Sequence, residues 1–271
     1  MNALVIGNRG FVGRHLTPML EQAGYDVEGT EQFENFVLDY RSKKTYDVIV
    51  HLGANIVNVN ERMTMGMRAY DDIALDMMVC KYVEKNPPTK AFIVMSSCAV
   101  DFASDPYCIV KRTLEGFAST LRSRGVPVRV LRPFSGYGTD QSEEYPYRAI
   151  WERARAKEDP LIVWGGNQIR DWVWIDDLCA AIMLSIDTPF ELCEVGTGIG
   201  TSLKDLARLI ANAAEYSPEI KCDYSFATSS GRRISGLGTA AMAQAYGWTP
   251  KTSLLDGIEK TARFLRSIER L

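Results

Sequence analysis

A tyrosine and a lysine four positions apart are the residues of this chain best suited to acid–base chemistry. Tyr107 and Lys111 fall in an amphipathic stretch that predicts a helix over residues 106–124. Residues four apart share one helix face, so the phenol and the ammonium are expected to lie together. An ammonium close to a phenol favours the phenolate, which is the form that a general base requires. The pair therefore predicts proton transfer by Tyr107.

A glycine-rich loop near the amino terminus predicts a dinucleotide site. Residues 3–13 read ALVIGNRGFVG and stand between an apolar strand and an amphipathic helix. Glycines at this spacing permit a tight turn, a close approach of the backbone to a pyrophosphate and close packing of helix on sheet. Amides at the helix start then face the phosphates. The predicted cofactor contacts of this loop are Gly7, Arg9, Gly10, Phe11, Val12 and Gly13.

A carboxylate after the second predicted strand favours NAD over NADP. Glu31 follows the strand 26–30 and lies about 20 residues beyond the glycines, where a carboxylate hydrogen-bonds the adenosine ribose. The next basic residue is Arg41, so no nearby cation is predicted to receive the extra phosphate of NADP. Arg9 in the glycine loop is the counter-argument, because it could reach a ribose phosphate. The expected cofactor is NAD.

The alternation of apolar runs and helical patterns predicts an α/β fold. Strand, helix and strand in this order indicate a Rossmann-type doubly wound parallel sheet, followed by a smaller C-terminal α/β substrate-binding lobe. We expect the NAD-binding domain at residues 1–138 and the lobe mainly at 139–271, with segments around 172–200 returning to the first domain. The predicted strands are 2–7, 26–30, 35–38, 46–52, 91–96, 126–131, 161–164, 192–195 and 220–224, with a further extended segment at 170–175. The predicted helices are 11–23, 63–85, 106–124, 146–157, 176–186, 202–214 and 254–268.

The bulk composition limits the classes of function. A formal net charge of −3 over 271 residues gives no basic excess for nucleic acid or an anionic membrane surface. No signal peptide and no apolar run of about 20 residues is visible, so we expect a cytoplasmic protein. The six cysteines lack Cys-x-x-Cys spacing, and the only histidines are His15 and His51. A metal site and a histidine-based triad are therefore not expected.

Several further motifs occur in order along the chain. They are VMSSCAV at 94–100, LRPFSGYG at 131–138, GGNQIRDWVWIDD at 165–177, VGTG at 195–198 and GWTP at 247–250. Together with the glycine loop and the Tyr-x-x-x-Lys pair, they resemble the extended short-chain dehydrogenase/reductases of the nucleotide-sugar epimerase and dehydratase family. The resemblance implies an NAD-dependent enzyme that acts on a nucleotide sugar. It also implies a homodimer, with helices 63–85 and 106–124 at its seam.

The same resemblance assigns roles to individual residues. Counting back from Val100 puts Ser97 at the catalytic Ser/Thr position, beside Tyr107 as general base and acid and Lys111 as its partner. The resemblance also implies that Arg170 pairs with the nucleotide diphosphate. Asp39 follows the predicted strand 35–38, and its place at the carboxyl end of a strand predicts that it accepts from the adenine amine. The further implied cofactor contacts are Glu31, Tyr40, Leu52, Gly53, Ala54, Tyr107, Lys111 and Pro133. The implied substrate contacts are Ser97, Cys98, Ser135, Arg170 and Arg233.

The residues after Ser97 bear on the reaction. The dehydratases of this family resemble one another in carrying Asp-Glu there, whereas this chain has Cys98 and Ala99, which disfavours dehydration. We expect a 4-epimerase of a UDP-hexose that works by transient oxidation of the sugar. An NAD(P)H-dependent keto-sugar reductase or dehydrogenase and a cofactor-binding module with little catalysis stay open. Only ten positions separate Ser97 from Tyr107, fewer than is usual in the family.

Overall fold

The computed structural model describes residues 1–30, 44–54, 67–101, 105–224, 242 and 245–268. The predicted site residues Glu31, Asp39, Tyr40 and Arg233 lie outside these ranges, as does the predicted strand 35–38. The backbone divides into two compact units. Unit 1 comprises Met1–Pro133 and Leu178–Val195, and unit 2 comprises Phe134–Asp177 and Gly196–Leu271.

Unit 1 is built on a six-stranded parallel sheet. Its strands are β1 (Asn2–Ile6), β2 (Asp26–Thr30), β3 (Val48–His51), β4 (Ala91–Met95), β5 (Val128–Pro133) and β9 (Leu192–Val195). They are arranged in the order β2-β1-β3-β4-β5-β9, and every neighbouring pair is parallel. All residues of β3 and β4 are buried, as expected for parallel strands covered on both faces. The predicted doubly wound sheet is confirmed.

Helices connect and cover these strands. They are α1 (Phe11–Gln22), α2 (Met67–Lys85), α3 (Pro106–Ser123) and α5 (Ile175–Asp187), the last of which contains the boundary at residue 178. Residues Val79 and Val83 of α2 and Leu114 of α3 pack in one apolar cluster with Ile49 and Phe92 of the sheet. Because these side chains recur every three or four positions, one face of each helix is buried.

The strand order reverses between β1 and β3. The chain runs from β1 outward to β2 on one side and then returns to build β3, β4 and β5 on the other. Crossovers that leave a sheet in opposite directions open a crevice at the carboxyl ends of the two central strands, and doubly wound proteins bind ligands there. The glycine loop follows β1 and residues 52–54 follow β3, so both predicted cofactor segments border this crevice.

Unit 2 contains two small sheets. Strand β8 (Ile169–Trp174) pairs in parallel with β6 (Ser135–Tyr137) and antiparallel with β10 (Gly200–Ser202). Strand β7 (Leu161–Trp164) pairs in parallel with β11 (Ile220–Asp223). The helices are α4 (Pro146–Arg155), α6 (Leu203–Ala213) and α7 (Leu254–Ile268). Among the described helices of both units, none combines the length and apolarity that a membrane crossing requires.

The sequence prediction differs from the structure mainly at short elements. Strand β5 begins two residues later than predicted because the Val126 amide donates to Leu121 O at the end of α3 and Pro127 has no amide to donate. The three-residue strands β6 and β10 are too short to show a hydrophobic period, and they were not predicted. A 3-10 turn at Cys98–Asp101 was also not predicted.

Candidate active site

The glycine loop forms a narrow turn between β1 and α1. Gly7 adopts a positive φ of 85°, which glycine tolerates without steric cost, and its amide donates to Thr30 O at 2.8 Å. Gly10 is the N-cap of α1 and has no side chain to occupy the amides of the first turn. The guanidinium of Arg14 donates to Arg9 O at 2.8 Å and ties the loop to the helix. The amides at the start of α1 therefore form a site suited to an anion.

The loop leaves no room for side chains at its glycines. A Cβ atom on Gly13 would lie 2.6 Å from both Cα and C of Asn8 and closer still to Gly7 O. A Cβ on Gly7 would lie 2.9 Å from the amide nitrogen of Gly53, which shows that the two predicted cofactor segments touch. The side chain of Asn8 fills the space above Gly29 of β2. This close backbone approach is what a bound pyrophosphate requires, so the described residues fit a dinucleotide.

Tyr107 and Lys111 lie on one face of α3, next to the carboxyl end of β4. Asp105 caps the helix by accepting from the Cys108 amide at 3.0 Å, and Pro106 occupies the first turn. The ammonium of Lys111 donates to Met95 O at 3.1 Å and lies 5.9 Å from the ring centroid of Tyr107. Only 8% of Tyr107 and 5% of Lys111 are exposed. The two side chains therefore lie together in a buried environment, with the ammonium beside the phenol ring.

The two serines after β4 have different hydrogen bonds. The hydroxyl of Ser96 donates to Glu115 Oε1 at 2.5 Å, and this engages it with α3. The hydroxyl oxygen of Ser97 accepts from the Ala99 amide at 3.1 Å, so its own hydrogen is not used in that contact. Ser97 is buried and Cys98 half-buried. This arrangement favours Ser97 over Ser96 as the serine that can donate to a substrate.

The acid pair of the dehydratases has no counterpart at the two positions after Ser97. Ala99 is fully buried in a cluster with Tyr107 and Val110, and the Cys108 thiol donates to its carbonyl oxygen at 3.3 Å. Neither a thiol at Cys98 nor a methyl at Ala99 can replace a carboxylic acid and a carboxylate in water elimination.

The two described predicted substrate residues of unit 2, Ser135 and Arg170, lie on its three-stranded sheet. Ser135 opens β6 opposite Trp172, and Arg170 on β8 stands opposite Thr201. The Arg170 guanidinium lies 6.0 Å from the ring centroid of Trp172. The adjacent Asp171 is buried.

Asp171 organises the turn after β9. Its carboxylate accepts from the Thr197 amide at 2.8 Å, the Thr197 hydroxyl at 2.5 Å and the Gly198 amide at 2.8 Å. Burial raises the pKa of Asp171, although the hydrogen bonds from Thr197 and Gly198 lower it in part.

Sequence reasoning did not single out three charged residues near the serines. Arg132 of β5 forms ion pairs with Glu115 of α3 and with Asp101 of the 3-10 turn. Glu115 continues the series of Tyr107 and Lys111 at four-residue spacing, which was a usable signal. Pro133, a predicted cofactor contact, is the last residue of β5 and is half-buried. Among the residues that the structure describes, no cluster of His, Cys, Asp or Glu side chains could hold a metal ion.

The comparison with protein families decides the class. The model of the NAD dependent epimerase/dehydratase family matches residues 3–195, which is most of the chain. The chain belongs to this family. As a family member it is an NAD-dependent enzyme, and the predicted family, enzyme class and cofactor are confirmed at that level.

Individual relatives of this family member carry different activities. It is 24% identical to a putative UDP-glucose 4-epimerase of Methanocaldococcus jannaschii, over 98% of this chain and 99% of the relative. It is 23% identical to the GDP-L-fucose synthase of Escherichia coli, over 98% of this chain and 97% of the relative. The crystal structure of a UDP-glucose 4-epimerase from Thermotoga maritima with UDP-glucose superposes with a TM-score of 0.88 at 24% identity, covering 99% of this chain and 100% of that chain. At such identities these likenesses support the shared fold and leave the reaction open.

Proposed function

We propose that the protein is a 4-epimerase of a nucleotide sugar, with a UDP-hexose as substrate and Tyr107 as the group that moves the proton. The observation that carries this proposal is the buried Tyr107–Lys111 pair, whose ammonium donates to Met95 O at the carboxyl end of β4, two residues before Ser97. The residues at Cys98 and Ala99 argue against the dehydratases, as described above. An epimerase needs one proton carrier and no additional acid and base pair.

NAD would be held by the glycine loop, residues 52–54, Tyr107, Lys111 and Pro133. The amides at the start of α1 would face its pyrophosphate, because no side chain caps them. Bound NAD supplies a hydride acceptor and donor for the sugar carbon. Glu31, Asp39 and Tyr40 lie outside the described residues, so their contacts with the adenosine half stay predictions.

The protein's own residues would carry the proton. The Oη atom of Tyr107 takes the proton of the sugar hydroxyl and later returns it, while the Lys111 ammonium stabilises the phenolate in between. The Ser97 hydroxyl donates to the same sugar oxygen and fixes its orientation. Ser135, Arg170 and Arg233 stay predicted substrate contacts, and a planar guanidinium at position 170 suits a diphosphate.

A keto-sugar reductase is the second candidate function. The observations that favour it are the half-buried Cys98 directly after Ser97 and the full-length match to a GDP-L-fucose synthase. A reductase consumes NADH or NADPH in each turnover, whereas an epimerase returns its cofactor unchanged. The two proposals therefore differ in net redox balance, which absorbance at ~340 nm measures.

The deciding experiment combines cofactor analysis with a matched pair of variants. Purified protein is denatured, the released dinucleotide is identified by mass spectrometry, and interconversion of UDP-glucose and UDP-galactose is followed without added cofactor. Tyr107→Phe should lower kcat by about 100-fold or more and retain the dinucleotide, because one acid–base group contributes that much. Tyr25→Phe is the control, since Tyr25 is buried to a similar extent, with 7% exposed, and directly precedes the amino end of β2.

Two results would contradict the epimerase. One is a wild-type protein that converts no member of a UDP- and GDP-sugar panel. The other is Tyr107→Phe with a kcat close to that of Tyr25→Phe. Net consumption of NADH or NADPH with a keto-sugar would instead establish the reductase.

We also propose a homodimer that pairs through α2 and α3. Tyr70 and Met77 stand one heptad apart on α2 and are 73% and 51% exposed, and Ile109 of α3 is exposed as well. Met77→Glu should convert the dimer to a monomer in sedimentation velocity, because a carboxylate would be buried at the seam. Leu255→Glu, at an exposed apolar position of unit 2, is the control. A wild-type protein that sediments as a monomer would refute this assignment.

A further inference from the structure

The short connection between Ser97 and Tyr107 begins with a 3-10 turn that is held by side chains of neighbouring elements. The Arg112 guanidinium donates to Val100 O from Nε at 3.0 Å and from Nη2 at 2.5 Å. The Asp101 carboxylate at the end of the turn accepts from Arg132. The Ser97 hydroxyl oxygen accepts from the Ala99 amide of this turn at 3.1 Å, so a movement of the turn disturbs a hydrogen bond of that hydroxyl.

Arg132 joins three elements of unit 1. Its Nε and Nη2 atoms donate to the two carboxylate oxygens of Glu115 at 2.8 and 2.6 Å. Its Nη1 atom donates to both carboxylate oxygens of Asp101, at 3.1 and 3.0 Å. A guanidinium that pairs in plane with a carboxylate fixes orientation as well as distance. Arg132 of β5 therefore fixes the position of α3 relative to the 3-10 turn.

Glu115 links these ion pairs to the face of α3 that carries Tyr107 and Lys111. It lies four positions after Lys111 and eight after Tyr107, so the three side chains follow one another along the helix. The Ser96 hydroxyl donates to the same carboxylate. Rotation of α3 about its axis would break these hydrogen bonds, so Glu115 fixes the direction in which Tyr107 points.

We propose that Arg132 and Asp101 are positioning residues, which hold the turn after Ser97 and the helix of Tyr107 in the geometry that proton transfer requires. The inference rests on the proposed function of Tyr107 and Ser97. The described part of this short connection, Cys98–Asp101, is held by Arg112 at Val100 O and by Arg132 at the Asp101 carboxylate. A displacement of about 1 Å in a reacting group can cost as much as 100-fold in rate.

Asp101→Asn is the mildest variant that tests the proposal. It removes one charge at a side chain that is 47% exposed and leaves the pair between Arg132 and Glu115 in place. Asp187→Asn is the matched control, because Asp187 forms an exposed ion pair with Lys90 at 3.1 Å elsewhere in unit 1. Asp101→Glu retains the charge and should recover part of any loss.

The first readout is steady-state kinetics with UDP-glucose. Asp101→Asn should lower kcat by about 3- to 10-fold with little change in KM or in dinucleotide content, since it disturbs positioning and leaves binding intact. Asp187→Asn should match the wild type in all of these quantities. A merely structural role would lower the unfolding temperature of Asp101→Asn and leave kcat per folded molecule unchanged, which would overturn the proposal.

The second readout does not depend on activity. Cys98 is the first residue of the turn and is half-buried, so its rate of alkylation by iodoacetamide, measured by peptide mass spectrometry, reports whether the turn opens. Asp101→Asn should raise this rate about 3-fold relative to Cys222, the half-buried reference thiol.

The two readouts separate failure of the inference from failure of the proposed function. A wild type inactive on every nucleotide sugar would reject the proposed function. If Asp101→Asn still raised the alkylation rate of Cys98, the contact of Asp101 with Arg132 would nevertheless be shown to hold the turn in place. An unchanged Cys98 rate overturns the proposal whether or not the enzyme is active.

Discussion

Substitution of Gly13 by alanine tests the cofactor site most directly. A Cβ atom at this position would stand 2.6 Å from backbone atoms of Asn8, whereas carbon atoms in contact prefer 3.5 to 4.0 Å. These Asn8 atoms belong to the backbone, so no change of side-chain rotamer can relieve the clash. The first turn of α1 must therefore move from the loop by about 1 Å, because that is the shortfall from ordinary contact.

The displacement should weaken NAD binding at least as much as it destabilises the fold. Overpacking costs about 1–3 kcal/mol of stability, and alanine returns about 1 kcal/mol through its helix propensity. An amide that no longer reaches a phosphate oxygen forfeits about 2 kcal/mol, since the acceptor is charged. That loss corresponds to a dissociation constant about 30-fold higher.

Isothermal titration of the dinucleotide-free protein with NAD provides the measurement. Gly116→Ala is the control, because a Cβ there meets no atom within 4 Å and α3 gains a better helix former. Its affinity for NAD should equal that of the wild type. If Gly13→Ala bound NAD within about threefold of the wild type, the loop would not be the pyrophosphate site and the steric reasoning would be wrong.

Three further predictions concern stability and reactivity. Asp105→Ala removes the acceptor for the Cys108 amide and should lower the free energy of unfolding by about 1 kcal/mol, measured in urea; an unchanged midpoint would contradict the cap. Burial raises the pKa of Asp171 above its ordinary 3.8. Between the pKa of the unfolded chain and that of the folded protein, the folded protein keeps a proton that the unfolded chain has released. The free energy of unfolding should therefore fall as pH rises between these two pKa values. Urea unfolding of Asp171→Asn should show a flatter pH dependence there, and an equal slope would refute the assignment. Burial also raises the pKa of the Cys80 thiol to about 12, so iodoacetamide at neutral pH should modify the half-buried Cys222 in the folded protein and Cys80 only after unfolding.

The sequence was sufficient to predict most of the architecture because the strands of a doubly wound sheet are continuous apolar runs. The segments 46–52 and 91–96 were recognisable without knowledge of their neighbours, and the structure places strands at Val48–His51 and Ala91–Met95. The three-residue strands β6 and β10 and the turn Cys98–Asp101 were missed, because they bury too few side chains to produce a period.

In the candidate site, contacts within one helix could be predicted from sequence spacing, whereas contacts between distant segments could not. Tyr107 and Lys111 could be paired from their spacing, since a helix brings residues four apart together. The contact of Arg132 with Asp101 joins positions 31 apart in sequence and depends on where β5 ends, which no local pattern records. Glu115 could have been connected to the tyrosine by spacing, but its bond to Ser96 follows from the packing of α3 on β4.

The late arrival of β9 in the chain has a consequence for biosynthesis. Strand β5 ends at Pro133, whereas its partner begins at Leu192, so about 60 residues must be translated before that edge of the sheet is paired. At typical rates this interval lasts about 3 to 12 s, during which the edge can recruit other nascent chains. Arg129 and Arg132 interrupt the apolar sequence of β5. Charges on an open edge disfavour such pairing, so we expect Arg129 and Arg132 to lower aggregation of the growing polypeptide until β9 has been translated.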